Sequence, residues 1–172
     1  MDNQILKYDK SLKFHNVTLD YSSSIIEKSN EGGYRIYKDV TVLTPGKWSD
    51  MITNSPVLYK SDILRKHFTS WSDRYVNLGH SHYPLDYVGT FRDEYFDNGV
   101  KGDLYINPNT SNGRDIINKI DSKEINLLSV EMQSEDYWDS EQMMRCADNI
   151  EFLGVSIIGP FPGPACKDSR IQ

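Results

Sequence analysis

The sequence predicts an α+β domain, a mostly antiparallel β-barrel with two or more flanking helices, and three observations lead there. Runs of β-branched and aromatic residues of strand length recur along the chain, each closed by Gly, Pro or Asn. Two other stretches space their apolar residues at the helical period. An "FDNG" tetrapeptide joins two of the strand-like runs as a hairpin turn would. Many antiparallel strands with two inserted helices can share one core only in such a layered or closed arrangement.

The elements follow in chain order. Residues 1–32 are polar, carry "YSSS" and "KSNEGG", and read as an N-terminal arm or irregular lead-in to a domain spanning 33–172. "GYRIYKDVTVLT" (33–44) alternates and is β-branched, so it reads as a strand ended by "PGKW". "KSDILRKHFTSW" (60–71) reads as a helix, with Ser61 as N-cap, Asp62 in the first turn, and Ile63, Leu64, His67 and Phe68 on one face. "RYVNL" (74–78), "DYVGTFRDEYF" (86–96) and "VKGDLYIN" (100–107) are strands. "TSNGRDIINKID" (110–121) is a second helix that turns Ile116, Ile117 and Ile120 inward. "INLLSVEMQS" (125–134), "EQMMRCADNI" (141–150) and "EFLGVSIIG" (151–159) complete the strand set.

Composition narrows the function. A chain of 172 residues suits one domain that buries roughly two thirds of its unfolded surface. Its net charge of −6, with Lys and Arg scattered, leaves no footprint for a phosphate backbone, so no nucleic-acid partner is expected. "FLGVSIIGPF" is too short to span a bilayer, and "MDNQILKYDKSLKF" lacks a signal-peptide pattern, so a soluble intracellular protein with no membrane partner is expected. Cys146 and Cys166 fit neither a disulfide framework nor CxxC spacing, and both are expected reduced, with no structural zinc.

The chemistry concentrates in "NLGHSHYPLDYVGTF" (77–91), where His80 and His82 stand one residue apart before a strand. Three readings apply. Either histidine can be an ordinary polar residue at a strand mouth. On an extended segment both project from one face, as two ligands of one ion must. With Asp93 downstream, their spacing is similar to the His-x-His, Ser/Thr, Asp signature of the JAMM zinc metalloproteases. Against that reading, Asp93 sits in a strand-favouring run rather than a helix, and no upstream segment supplies that family's catalytic Glu. In the third reading one histidine is a general base for a serine nucleophile. Ser129 in "NLLSVEM" is the best candidate, because a hydroxyl between Leu128 and Val130 needs a reason to be there. The alternative is that it bonds to backbone or faces a solvated side of the sheet.

From about residue 33 to 166 the chain resembles the prohead (capsid maturation) proteases of tailed viruses, which share the herpesvirus assemblin-like fold. The resemblance is carried in order by "TPGKW", "YKSDILRKHFTSW", "YVNLGHSHYPLDYVGTF", "GVKGDLYIN", "GRDIINKI", "INLLSVEM" and "NIEFLGVSIIGPFPGPA". It implies a serine endopeptidase without a cofactor, acting inside the assembling procapsid in the host cytoplasm. Its implied partners are the viral scaffolding protein, the major capsid protein, itself as substrate, and a second copy in a homodimer. By position it implies Ser129 as nucleophile and His80, which follows Trp71 and Val76, as base, with His82 as alternative base or third member.

The third position departs from the pattern, because relatives carry Glu or His where this chain has Gly154. Either a Ser/His dyad works alone or His82, Ser156 or Glu151 substitutes. Strand alternation puts Ser156 on the face of Gly154 and Glu151 on the other. For the oxyanion the resemblance points to "GPFPGPA", in which Pro160, Pro162 and Pro164 cannot donate, leaving the N–H groups of Gly159, Phe161, Gly163 and Ala165. Gly154 also supports another reading, an inactive capsid or scaffold component of the same fold, although no long charged helical tail follows the domain.

Overall fold

The computed structural model describes residues 11–18, 28–50, 53–71, 73–125 and 127–159. The strands are β1 (Ser11–Thr18), β2 (Lys28–Glu31), β3 (Tyr34–Leu43), β4 (Gly46–Ser49), β5 (Pro56–Tyr59), β6 (Arg74–Leu78), β7 (Gly89–Phe96), β8 (Val100–Ile106), β9 (Leu127–Asp139) and β10 (Met144–Ile158). The helices are α1 (Ser61–His67), continued by a 3₁₀ turn Phe68–Trp71, and α2 (Gly113–Asp121). Among the described residues no helix is long and apolar enough to cross a membrane.

The strands form one sheet in the order β1-β9-β10-β6-β7-β8-β3-β2, with β5 also on β10 and β4 on β5. The expected mostly antiparallel barrel is corrected here, since the sheet is mixed and its hydrogen-bonded path runs open from β1 to β2. β10 runs parallel to β5 through Arg145–Val57 and Cys146–Leu58, and parallel to β6 from Gly154–Tyr75 to Ile157–Leu78. The cause lies in chain direction. β5 and β6 occupy successive stretches of the same edge of β10, and α1 with its 3₁₀ turn is an excursion between them. The Phe152 N–H donates to Ser70 Oγ at 3.0 Å, so the end of that excursion covers the backbone between the two strands.

Other differences from the sequence reading have local causes. Residues 11–18 and 28–31 of the expected arm are strands, and "PGKW" opens β4 rather than only ending β3. Residues 141–150 and 151–159 contribute to a single strand, β10, whose ladder to β9 slips between Ala147 and Asn149 and again between Phe152 and Gly154. α1 begins at Ser61, with Lys60 rather than Ser61 in the cap position and no side-chain cap.

The core explains why the sheet holds its register. Leu128, Val130 and Met132 of β9, Val155 and Ile157 of β10, and Val76 and Leu78 of β6 belong to one buried cluster with Leu64 of α1 and Ile116 and Ile120 of α2. Each such side chain contributes about 1.5–3 kcal/mol by leaving water. A one-residue slip of β9 would turn all three of its apolar residues out and Ser129 and Glu131 in. Packing on one face therefore fixes which residues point from the other.

Candidate active site

That other face carries the chemistry. Ladder pairing places Ser129 opposite Ser156 and Glu131 opposite Gly154 across β9 and β10, then Gly154 beside Tyr75 and Ser156 beside Asn77 across β10 and β6. Paired residues project from the same side of a sheet. Ser129, Glu131, Asn77 and Ser156 are all buried on this side, where a polar group left without a partner is uncommon.

His80 arrives from the end of β6. Gly79 and His80 both take left-handed backbone, with φ of 56° and 62°. A histidine in that region is uncommon and costs about 1–3 kcal/mol unless its surroundings hold it. They do: Gly79 N–H donates to Ile157 O at 3.0 Å, and His80 N–H donates to Ser156 Oγ at 3.1 Å. The turn swings the imidazole back over the sheet.

There, His80 Nδ1 lies 2.8 Å from Glu131 Oε1, and the two side chains are 12% and 1% exposed. Glu131 is further bonded by the Tyr75 hydroxyl at 2.6 Å to Oε2, by Asn77 Nδ2 at 3.2 Å to Oε1, and by the Ser156 hydroxyl. Burial pushes the Glu131 pKa up, but the hydrogen bonds from His80, Ser156 and Tyr75 outweigh it and hold the group at about 2. The Tyr75 phenol is pushed up by burial and by its bond to the Glu131 carboxylate.

Glu131 is therefore an anion, which can only accept, and the proton between it and His80 resides on Nδ1. Neutral His80 then presents Nε2 as its basic atom. Nε2 is buried without a hydrogen-bond partner among the described residues, and so is Ser129 Oγ. Ser129 is one strand spacing from Ser156, whose Oγ lies 3.1 Å from His80 Nδ1. The Ser156 hydroxyl has one proton to share between Glu131 Oε1 and Asn77 Oδ1.

The remaining candidates lie elsewhere or play other parts. The His82 ring stands edge-on to Tyr75, with centroids 5.7 Å apart. Glu151 faces Arg74 at 4.0 Å. Asp93 accepts from the Tyr105 hydroxyl at 2.8 Å. His80, His82 and Asp93 thus do not converge, and no group of three or more His, Cys, Asp or Glu side chains among the described residues could hold a metal ion. Gly159 follows β10 directly, whereas Phe161, Gly163, Ala165 and Cys166 lie outside the described residues.

Sequence reasoning missed Glu131, Tyr75 and Asn77. The signal for Glu131 was present, since a carboxylate two residues after Ser129 in an otherwise apolar strand shares its face. Glu131 supplies a carboxylate from the strand opposite Gly154, so the empty third position has an acid directly across the ladder.

No protein-family model matches the sequence, and no curated protein sequence matches it. Among solved structures the chain is similar to the capsid assembly protease of bacteriophage T4, with a TM-score of 0.61 and 14% identity over 91% of this chain and 100% of that one. This chain has the fold of a phage capsid assembly protease.

Proposed function

We propose that the chain is a serine endopeptidase of viral capsid maturation, with Ser129 as nucleophile, His80 as general base and Glu131 as the acid that orients the base. The observation carrying this reading is the buried His80–Glu131 pair. It leaves Nε2 as the unpaired ring nitrogen, while Ser129, two residues from Glu131 on β9, carries a hydroxyl that is itself buried without a partner among the described residues. Likeness of fold to the T4 protease supports the same class of reaction and the procapsid as its place.

The mechanism is acyl transfer. As Ser129 Oγ attacks the scissile carbonyl, its proton passes to His80 Nε2, and the imidazolium is stabilised by ionised Glu131 across Nδ1–H. That proton then goes to the leaving amine, and water, deprotonated by the same Nε2, releases the acyl-enzyme. Tyr75, Asn77 and Ser156 position Glu131, and His82 braces Tyr75. Scaffolding protein, major capsid protein and the chain itself are the proposed substrates. With a carboxylate facing Gly154, the argument for an inactive scaffold component loses its main support.

Ser156 offers a second reading, because its Oγ is the hydroxyl within reach of an imidazole nitrogen. That nitrogen is the one engaged by Glu131, which makes it the wrong end of the ring for a base.

The two readings separate on co-expression with the capsid and scaffold proteins. Ser129→Ala should give uncleaved proheads while the protein stays folded, and Ser156→Ala should cleave slowly but detectably. Normal processing by Ser129→Ala together with none by Ser156→Ala would transfer the nucleophile to Ser156. Normal processing by both would remove the serine mechanism.

A further inference from the structure

Ser129 is 0% exposed and the His80 side chain 12%, so no peptide bond reaches either until something moves. Phe14 of β1 packs on the imidazole, with ring centroids 4.2 Å apart and planes tilted by 54°. β1 runs antiparallel along the outer edge of β9, with Phe14 opposite Glu131 and Asn16 opposite Ser129. An extended peptide that presents its backbone to Ser129 by strand addition needs that same edge. β1 already occupies it.

The composition of β1 suits departure. Two of its residues on the core side, Lys13 and His15, are polar, held by Lys13 Nζ–Asp136 Oδ2 at 2.8 Å, His15 Nε2–Tyr59 Oη at 2.8 Å and His15 Nδ1–Ser49 O at 3.1 Å. Both side chains are readily hydrated on release, and the apolar burial that Phe14, 8% exposed, gives up is open to the side chain that takes its place. Asp136 is not left alone, since Arg145 at 2.6 Å and the Ser134 hydroxyl at 2.7 Å stay with it. The ladder bonds that β1 gives up on β9 are replaced by those of the incoming strand.

We propose that β1 is an autoinhibitory cover: an extended peptide displaces it from β9, and the place vacated by Phe14 receives an aromatic or large aliphatic side chain of that peptide. The geometry stands on its own, while the inhibitory consequence rests on the peptidase reading above.

A reversible lock tests it. Leu12 and Gln133 are register partners on β1 and β9, and Leu12 is 40% exposed, so the double variant Leu12→Cys/Gln133→Cys can tie the strands together without touching the site. Oxidised and reduced forms of this one protein are compared by the rate at which diethyl pyrocarbonate modifies His80, read by peptide mass spectrometry with exposed His82 as reference. Cleavage of unfolded casein and of the capsid protein is read in parallel. The oxidised form should modify His80 at least ~10-fold more slowly and cleave neither protein, with both properties restored by reductant. Phe14→Ala, with no disulfide, should speed modification of His80. Equal modification of His80 in the two forms, or full cleavage by the locked form, overturns the proposal. Protection of His80 in the locked form without cleavage by either form leaves the cover standing and removes the peptidase reading instead.

Discussion

Glu131 and Asp136 lie five residues apart on β9, each 1% exposed, and they are neutralised in opposite ways. Asp136 has permanent cations, Lys13 at 2.8 Å and Arg145 at 2.6 Å, plus the Ser134 hydroxyl at 2.7 Å. Glu131 is held by a phenol, an amide, a serine hydroxyl and an imidazole. A buried carboxylate with fixed cations is a structural staple, costly mainly when one partner is removed. A buried carboxylate facing neutral donors meets a full countercharge only when its histidine takes a second proton. That second arrangement favours an imidazolium, which the proposed acyl transfer requires, and it is why two buried acids on one strand carry different expectations.

The sharpest way to break the comparison is to remove the charge of Glu131 alone. Glu131→Gln keeps the shape but cannot hold the proton on Nδ1 or stabilise the imidazolium, so kcat/KM on procapsid proteins should fall by ~10³–10⁴. A loss under ten-fold, with the fold verified by circular dichroism, would strip Glu131 of its proposed part. The next effect is expected on stability. Asp136→Asn leaves Lys13 and Arg145 facing a neutral amide and should cost about 3–5 kcal/mol in denaturant unfolding. Measured where the variant is folded, its activity should stay near that of the parent. If Asp136→Asn abolishes turnover while Glu131→Gln only destabilises, the two carboxylates have been assigned the wrong way round.

How far the sequence reveals this depends on the kind of interaction concerned. β3, β6, β8 and both helices are legible because their apolar residues recur at period 2 or 3.6 against a single core. β1 is not legible, because Lys13 and His15 stand at two of its inward positions and only the tertiary partners Asp136 and Tyr59 make them buried. β4 and β5 are four residues each, too short to show a period. The parallel pairings of β10 follow from where α1 leaves and rejoins the sheet edge, which no local pattern records. At the site, His80 and Ser129 stand out by residue type, whereas Glu131 becomes visible only once the ladder sets it across from Gly154.

That pairing bears on what a carboxylate placed at Gly154 would do, since the strand has no room for one there. A Cβ on Gly154 would collide with the ring of Tyr75, which fills the space above it. Gly154→Glu should therefore not raise the rate. Even Gly154→Ala should displace Tyr75 and cost about 1–3 kcal/mol by overpacking. Faster cleavage by Gly154→Glu than by the parent would show that the site lacks an acid after all and that Glu131 is a bystander.

The smallest change that sharpens the contrast is Tyr75→Phe, which keeps the ring over Gly154 and deletes the hydroxyl bonded to Glu131 Oε2 at 2.6 Å. Glu131 titrates near 2 in the folded chain and near 4.5 when unperturbed, so the stability it contributes is present above about pH 4.5 and is lost as the pH falls toward 2. Removing one of its donors lets burial pull the folded pKa part of the way back toward 4.5. Less stabilisation is then held in reserve at neutral pH, by about 1.5 kcal/mol, and acid unfolding should begin at a higher pH than in the parent. An acid unfolding curve unchanged by Tyr75→Phe would leave Glu131 without the strong hydrogen bonding that its proposed role as orienting acid requires.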